Sequence, residues 1–358
     1  MCLVGVLLPY ITAMAVSEGV RQQAEISVAA GADIYVASEM YGRNGPVPLA
    51  LVPEIEKLSG VVKVVPRIVG RTYLGEELAV VVGIDIDDDI AVSEGSKING
   101  SGHALFGEVL ARRLGLEVGT EFRFPTNPGL PFTVAGILDP QLSIWSTAMV
   151  IIPFGDAEKV FKLPGQASEL LIYCRPGTDV HISEQLTMMI KPWDQLPPLR
   201  VQTRKIVSNY LERGFASQAG TFAMFYVTVF ALAIPALLIL SGLGRGVRRR
   251  EIGIMKATGW QTLEILEMIF FENLLLALAG SLLPIILAVA WLKIGNGIGI
   301  APLFISGSGW LPDFPVPSRF LPLPALLSFV FGFLLTMTGT IIPTWRAAVT
   351  SPMTTMGR

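Results

Sequence analysis

Cysteine, histidine and charge are all scarce in this sequence. It has two cysteines and two histidines, and only 16% of its 358 residues are charged, against roughly 25% in ordinary soluble proteins. Of Cys2 and Cys174, only the second lies in the stretch 17–215, so no disulfide can form within it; about 200 residues bury enough core to do without one. Cys2 lacks the small-residue motif of a lipoprotein anchor, and Cys174 sits in the strand-like "ELLIYC". His103 and His181 are far apart and have no neighbouring ligand pattern, which argues against zinc. There is no G-x-x-x-x-G-K-[ST] phosphate loop, hence no sign of ATP binding by that mechanism. G-x-S-x-G and H-E-x-x-H are missing too, so nothing argues for an enzyme. "GIDIDDDIAVSEGS" alternates Asp85, Asp87 and Asp89 like a calcium loop. It has Ile90 where the turn demands glycine and Ser96 where a bidentate Glu is needed, so a solvated acidic turn is expected.

What the sequence has instead is long apolar runs. Four of them, Met1–Ser17, Gly214–Gly244, Asn273–Leu292 and Phe320–Trp345, contain no Asp, Glu, Lys or Arg. A bilayer core needs about 20 apolar residues as helix, within a range of roughly 17–25. One charge at its centre costs about 2.5–3.5 kcal/mol or more, so charge-free runs of this length are membrane candidates. Charge also separates by region. Residues 17–215 hold 24 acids and 18 bases, net −6, whereas the remainder holds 5 and 9, net +4, giving the overall −2. Seven of the nine bases lie between Gly244 and Gln261 or in the tail, as Arg346 and Arg358. By the positive-inside rule that loop and the C-terminus are cytoplasmic, and residues 17–215 are outside.

The expected fold class is a membrane α-helical protein with four transmembrane helices and an inserted α+β extracytoplasmic domain. Its parts are a first transmembrane helix at 1–17, an extracytoplasmic domain with stalk helices at 18–215, and a second span at 221–243. A cytoplasmic loop and helix at 244–264, a third span at 265–292, an outer loop at 293–320, a fourth span at 323–345 and a cytoplasmic tail at 346–358 follow. The first run has no basic residues before it, and "AMA" at Ala13–Ala15 resembles a signal-cleavage site. A cleaved signal and an abbreviated spanning helix both place residue 17 outside. "SEGVRQQAEISVAAGADIYV" has no breaker before Gly31, so the first helix is expected to continue past the membrane. "VVKVVPRIVG", "ELAVVVGIDI", "EFRFP", "FTVAGIL", "AMVIIPF" and "ELLIYCRPG" read as strands. "ALVPEIEKLSG", "ALFGEVLARRLGL", "FGDAEKVFKLPG" and "HISEQLTMMI" read as helices. The mixture predicts an α+β domain with two lobes. "KIVSNYLERGFASQAGTF" is a helix leading into the second span. Pro235 and Pro284 fall within the second and third spans, where proline kinks a helix.

Candidate functional residues concentrate in "RRREIGIMKATGWQTLEILEMIFFENLLL". Nucleic-acid binding needs a basic face with aromatic or polar readers; Trp260 is the one nearby aromatic outside the membrane, so no nucleic-acid partner is expected. Contact of Arg248, Arg249 and Arg250 with anionic lipid is worth roughly 1 kcal/mol per base. Ile252 and Met255 lie three apart on a short basic helix, an apolar stripe suited to docking into a partner's groove. Gly259 offers the break before the next helix. Glu264 and Glu267 stand at the membrane entrance, and Glu272 lies one to two turns deeper, where an acid either snorkels to the interface or packs against another helix.

This segment resembles the hallmark of FtsX-like ABC-transporter permeases, the superfamily of the macrolide exporter MacB and the lipoprotein-release permeases. The resemblance rests on Arg250, Glu251, Ile252, Gly253, Ile254, Lys256, Ala257, Gly259 and Glu272. "PTWRAAVTSPMTTMGR" is similar to the family's C-terminal pattern, with Ser351 in place of the acid and Gly357 in place of the leucine. "HALFGEVLARRLGLEVGTEFRF" and "FTVAGIL" resemble a motif of its external domain. The family's basic cytoplasmic leader is missing from the start. The resemblance implies mechanotransmission: a cytoplasmic ATPase partner binds ATP and Mg, and this chain carries no cofactor of its own. The helix around Arg248–Trp260 then passes the movement to the spans, and two stalk helices pass it to the external domain. Residues implicated in coupling are Arg248, Arg249, Arg250, Glu251, Ile252, Met255, Lys256 and Gly259, with Glu272 as a packing or coupling residue. Other implied partners are a second permease chain and a periplasmic adaptor or substrate. The cargo class is hydrophobic, peptide or lipid-linked. The alternative is a non-transporting signalling protein that activates an extracytoplasmic enzyme such as a cell-wall hydrolase. A secondary transporter fits poorly, because the spans lack paired charges.

Overall fold

The computed structural model describes residues 2–40, 43–85, 100–138, 144–190, 198–243, 245–305 and 309–349, the side chains of 2, 3, 40, 43, 44, 144, 190, 219, 230, 233–250 and 339–349 excepted. The turn with Asp87, Asp89, Ile90 and Ser96, and the tail with Ser351, Gly357 and Arg358, lie outside the described residues. The chain divides into two units, one of residues 21–214 with 313–315, the other of residues 1–20, 215–312 and 316–358.

The first unit is an α+β domain built on one mixed sheet. Its strands are β1 (Ile34–Met40), β2 (Arg43–Gly45), β4 (Val61–Leu74), β5 (Glu77–Ile84), β6 (His103–Gly107), β7 (Glu121–Arg123), β8 (Pro131–Leu138), β9 (Met149–Pro153), β11 (Glu169–Cys174) and β12 (Leu199–Thr203). Two further short strands, β3 (Val47–Pro48) and β10 (Gln166–Ala167), pair with each other. The sheet runs β12-β1-β11-β4-β5-β9-β6-β8-β7, with β2 on β1. The pairs β5–β9 and β6–β8 are parallel.

The long strand β4 organises this domain. Its first half pairs with β11 through Arg67, and its second half pairs with β5 from Ile68 onward. Pro66 falls before the β5 register begins, so its missing N–H costs the ladder little there. Each half carries its own core. Around the first half, Ile34, Val36, Leu51, Ile55, Leu170, Ile172, Ile182 and Leu186 pack together, closed by α2 (Val52–Glu56) and α5 (Asp179–Ile190). Around the second, Ile68, Val81, Phe106, Phe124, Phe132 and Ile152 form the core, covered by α3 (Glu108–Leu114) and α4 (Phe154–Phe161). Phe106, Phe122, Phe124 and Phe132 meet edge-on or stacked, the offsets aromatic quadrupoles favour.

The helical expectation for "ALFG" is corrected: Ala104, Leu105 and Phe106 are fully buried in β6, flanked by β8 and β9, and the helix begins only at Glu108. A short, wholly apolar run has no period that separates strand from helix. The buried Asp156 holds the turn before β6, accepting hydrogen bonds from the Ser101 hydroxyl (2.6 Å) and the Gly102 N–H (2.7 Å) and facing Lys159 at 3.3 Å.

The second unit is helical. It holds the first part of α1 (Cys2–Ala29), the second part of α6 (Arg204–Leu243), and the whole of α7 (Arg245–Ala257), α8 (Thr262–Lys293) and α9 (Pro322–Val349). α1 and α6 are each continuous across the boundary between units, which falls after Val20 and after Gly214. The loop between α8 and α9 is pinned to α1. The Arg319 N–H donates to the Ala15 carbonyl at 2.8 Å, and the Val316 N–H donates to Asn296 Oδ1 at 2.8 Å. Gly19 comes so close to the Pro317–Ser318 backbone that any Cβ would collide.

α8 and α9 pack on each other. α8 buries Ile265, Ile269, Asn273, Ala277, Ser281, Pro284 and Ala288, spaced three or four apart. α9 buries Ala325, Ser328, Gly332 and Met337, spaced three, four and five apart. Small residues let helix axes approach closely, and the Ser281 and Ser328 hydroxyls return their hydrogen bonds to their own helices. Of the four spans expected from the sequence, the described residues give one helix, α8, that is long and apolar enough to cross a membrane; α9 has a shorter apolar stretch, Pro322–Thr338.

The two-core domain yields a prediction about Cys174. Burial pushes its thiol from the ordinary 9.0 up to about 11, with Asp33 and Asp179 adding to the effect. A proton held more tightly in the folded state stabilises it below pH 9, and that contribution is lost as pH rises through about 11. In a Cys2→Ser background, iodoacetamide at pH 8 should alkylate Cys174 more slowly than it does in the urea-unfolded chain. Equal rates would contradict the assigned environment.

Candidate functional site

The hallmark residues fall in a tight helical hairpin, α7 followed by the first turns of α8. Its reversal is local chemistry. At Gly259 the backbone turns left-handed, with φ +96°. The Trp260 N–H donates to the Met255 carbonyl at 3.1 Å and the Gly259 N–H to the Lys256 carbonyl at 3.2 Å, the double bond of a glycine-terminated helix. The Thr258 hydroxyl satisfies the Met255 carbonyl as well, at 2.8 Å. α8 then begins at once, the Gln261 N–H donating to Glu264 Oε2 at 2.8 Å, as a capping box requires. Glu264 is therefore the third residue of a capping box whose N-cap is Gln261.

Side-chain directions differ from the expectation for the apolar stripe. Ile252 is 4% exposed and packs, with Met255 beside it, on Ile265 and Ile269 of α8. The stripe clamps α7 to α8 rather than standing free for a partner. The apolar side chains exposed at the hairpin are Ile254 at 51%, Trp260 at 46% and Leu263 at 66%. Glu251 is exposed and Lys256 half-buried. Arg248, Arg249 and Arg250 belong to α7, and their side chains lie outside the described residues.

Glu272 is on the exposed side of α8, whereas its neighbour Asn273 is 1% exposed on the buried stripe. Asn273 is a buried polar residue of the helical unit, as Ser281 and Ser328 are, and sequence reasoning passed over it. Its signal was the four-residue spacing from Ile265 through Ile269 to Ala277 and Ser281. Among the described residues, no three His, Cys, Asp or Glu side chains converge as a metal site. What the hairpin offers is charge, an apolar contact surface and a tight elbow closed by hydrogen bonds.

The matching families coincide with this division. The MacB-like periplasmic core domain matches residues 10–187, and the FtsX-like permease C-terminal domain matches residues 223–352. An uncharacterized ABC transporter permease of Methanocaldococcus jannaschii is 23% identical over 185 residues, which cover 50% of this chain and 45% of that protein. The chain thus spans about half the length of the curated relative it matches. Among solved structures, it is similar to the periplasmic region of MacB from Actinobacillus actinomycetemcomitans, at 13% identity and a TM-score of 0.39, covering 51% of this chain and 94% of that one. It is also similar to the extracellular domain of the noncanonic ABC-type transporter YknZ from Gram-positive bacteria, at 15% identity and a TM-score of 0.35, covering 48% and 99%. The chain belongs to the FtsX-like, MacB-type family of ABC-transporter permeases.

The elbow generates a direct test. Nothing lies within 4 Å of a Cβ built on Gly259, so Gly259→Ala meets only the backbone cost of a left-handed residue, about 1–2 kcal/mol. Since about 1.4 kcal/mol is a tenfold change, tryptic cleavage after Lys256 should quicken roughly tenfold when cleavage follows local opening. An unchanged rate would mean that the turn does not hold α7 in place.

Proposed function

We propose that this chain is the permease subunit of an ABC transporter, lying in the cytoplasmic membrane with four spans and with residues 18–215 extracytoplasmic. A separate cytoplasmic ATPase, which binds ATP and Mg, drives it through α7. The observation that carries the reading is the hairpin: α7 is fastened to α8 by Ile252 and Met255 while Ile254, Trp260 and Leu263 stay exposed. A helix fastened on one side to a span, with exposed apolar side chains on it and on the turn that follows, is placed to move that span when a partner pushes.

The membrane assignment is supported by what α6, α8 and α9 expose. Only 22% of the most apolar window of α8 is buried, whereas a core helix of a soluble domain would be mostly covered. Met224, Phe225, Val227, Phe271, Leu275, Ile286, Leu323, Leu326 and Leu334 are all more than half exposed. Apolar area this extensive is stable against lipid tails or against other apolar helices. The basic cluster at the start of α7 then lies where anionic headgroups attract it, at roughly 1 kcal/mol per side chain.

Movement of α8 is proposed to reach the extracytoplasmic domain along α1 and α6, whose continuity across both units supports a mechanical role. A second permease chain, identical or related, would complete the assembly, and the cargo proposed is hydrophobic, peptide or lipid-linked. An adaptor would dock on the extracytoplasmic domain.

The test is co-purification of the full chain with a cytoplasmic ATPase. Ile254→Asp or Trp260→Asp should weaken that complex by about 2 kcal/mol, roughly thirtyfold in affinity, as for a central contact residue. Charge reversal at Arg249 together with Glu251 should uncouple ATP hydrolysis from the permease. Undiminished binding and coupling in all of these variants would overturn the reading.

A further inference from the structure

The two long helices leave the α+β domain at one place. β1 follows α1 and β12 precedes α6, and β1 and β12 are antiparallel neighbours with Ile34 opposite Thr203. The end of α1 and the start of α6 therefore lie side by side, and Asp33 and Arg204 stand at the two junctions. The Arg204 N–H donates to the Asp33 carbonyl at 2.8 Å. The Arg204 guanidinium pairs with Asp33 Oδ1 at 2.9 Å and also donates to the carbonyls of Gly31 (2.7 Å) and Ala32 (3.2 Å). Those carbonyls lie just past the end of α1, where a cation is favoured by the helix dipole and by unsatisfied acceptors.

Each partner is held from behind. Asp33 Oδ2 accepts the Cys174 N–H of β11 at 2.8 Å, and the Asp33 N–H donates to the Ile172 carbonyl at 3.1 Å. Thr203, buried beside Arg204, turns its hydroxyl to the Ile206 N–H at 3.4 Å, a weak N-terminal cap on α6. One arginine at the root of α6 thus donates to three acceptors just past the end of α1.

We propose that Asp33 and Arg204 form a yoke that locks the roots of α1 and α6 to each other and to the sheet, so that neither helix shifts or rotates without the other. The planar guanidinium fork matters as well as its charge: one side chain spans a carboxylate and two main-chain carbonyls, a geometry an ammonium cannot reproduce. The consequence for transmission, two helices acting as a single lever, rests on the function proposed above. The yoke itself rests only on contacts inside the α+β domain.

The experiment needs no ATPase, so it separates failure of the yoke from failure of the transport reading. Spin labels are placed at the exposed Ile26 on α1 and Tyr210 on α6, with a reference pair at Leu78 and Val118 in the other half of the domain. The full chain carries Cys2→Ser and Cys174→Ser and sits in lipid nanodiscs, and pulsed electron–electron distances are measured. The parent protein should give one narrow Ile26–Tyr210 distance. Arg204→Met should lose that single peak while the reference distance stays unchanged, and Arg204→Lys should broaden it by a lesser amount. A narrow, unshifted peak in Arg204→Met would overturn the proposal. So would broadening that appears in both variants only together with broadening of the reference pair, since Arg204 would then merely hold the fold.

Discussion

Apolar side chains that water would have to surround are the constraint on which the rest depends. Leu275, Ile286, Leu323 and Leu326 stand on α8 and α9 with more than half of their surface uncovered. Such surfaces are tolerable only where the surrounding medium is itself apolar. Once lipid is that medium, backbone groups must be satisfied within each helix, and helices associate through small residues rather than large ones. The stripes of Ala277 and Ser281 on α8 and of Ala325 and Ser328 on α9 meet that requirement. Five basic residues of the helical unit, Arg245, Arg248, Arg249, Arg250 and Lys256, gather on α7.

The function proposed above asks for elements that run unbroken from one unit into the other. α1 and α6, 28 and 40 residues long, are continuous across that boundary. α1 is gripped near Ala15 and Gly19 by the loop between α8 and α9, and beyond its C-terminus by Arg204. α7 is fixed in the same manner, with a glycine-terminated end and an apolar clamp onto α8. In the α+β domain the two cores are strung on β4, the strand where both halves meet.

Much of this was legible in the sequence, and the failures have physical causes. Charge-free runs and the segregation of arginine marked the helical unit. β4, β5, β8, β9 and β11 were legible because β-branched residues recur in them between turn residues. β6 was read as helix because "ALFG" is wholly buried and has no period. β1 and β12 went unread because their partners are remote: β12 pairs across the domain with a strand more than 150 positions earlier. At the hairpin, sequence located Ile252, Met255 and Gly259 but could not say which way the stripe faced. That depended on Ile265 and Ile269 of the next helix, which offered a nearer apolar surface than any partner. Glu272 drew notice as a charge, whereas its neighbour Asn273 is the buried one, on the four-residue spacing of Ile265, Ile269, Ala277 and Ser281 that marks the packed face of α8.

The central claim is that α7 and the two-core domain lie on opposite sides of one membrane. Single cysteines at Trp260 and at Val118, both exposed, placed in a chain lacking Cys2 and Cys174, test it in intact cells with a membrane-impermeant maleimide. The account predicts that the Val118 position labels from outside, and that the Trp260 position labels only after the membrane is opened. Labelling of the Trp260 position in sealed cells would contradict it.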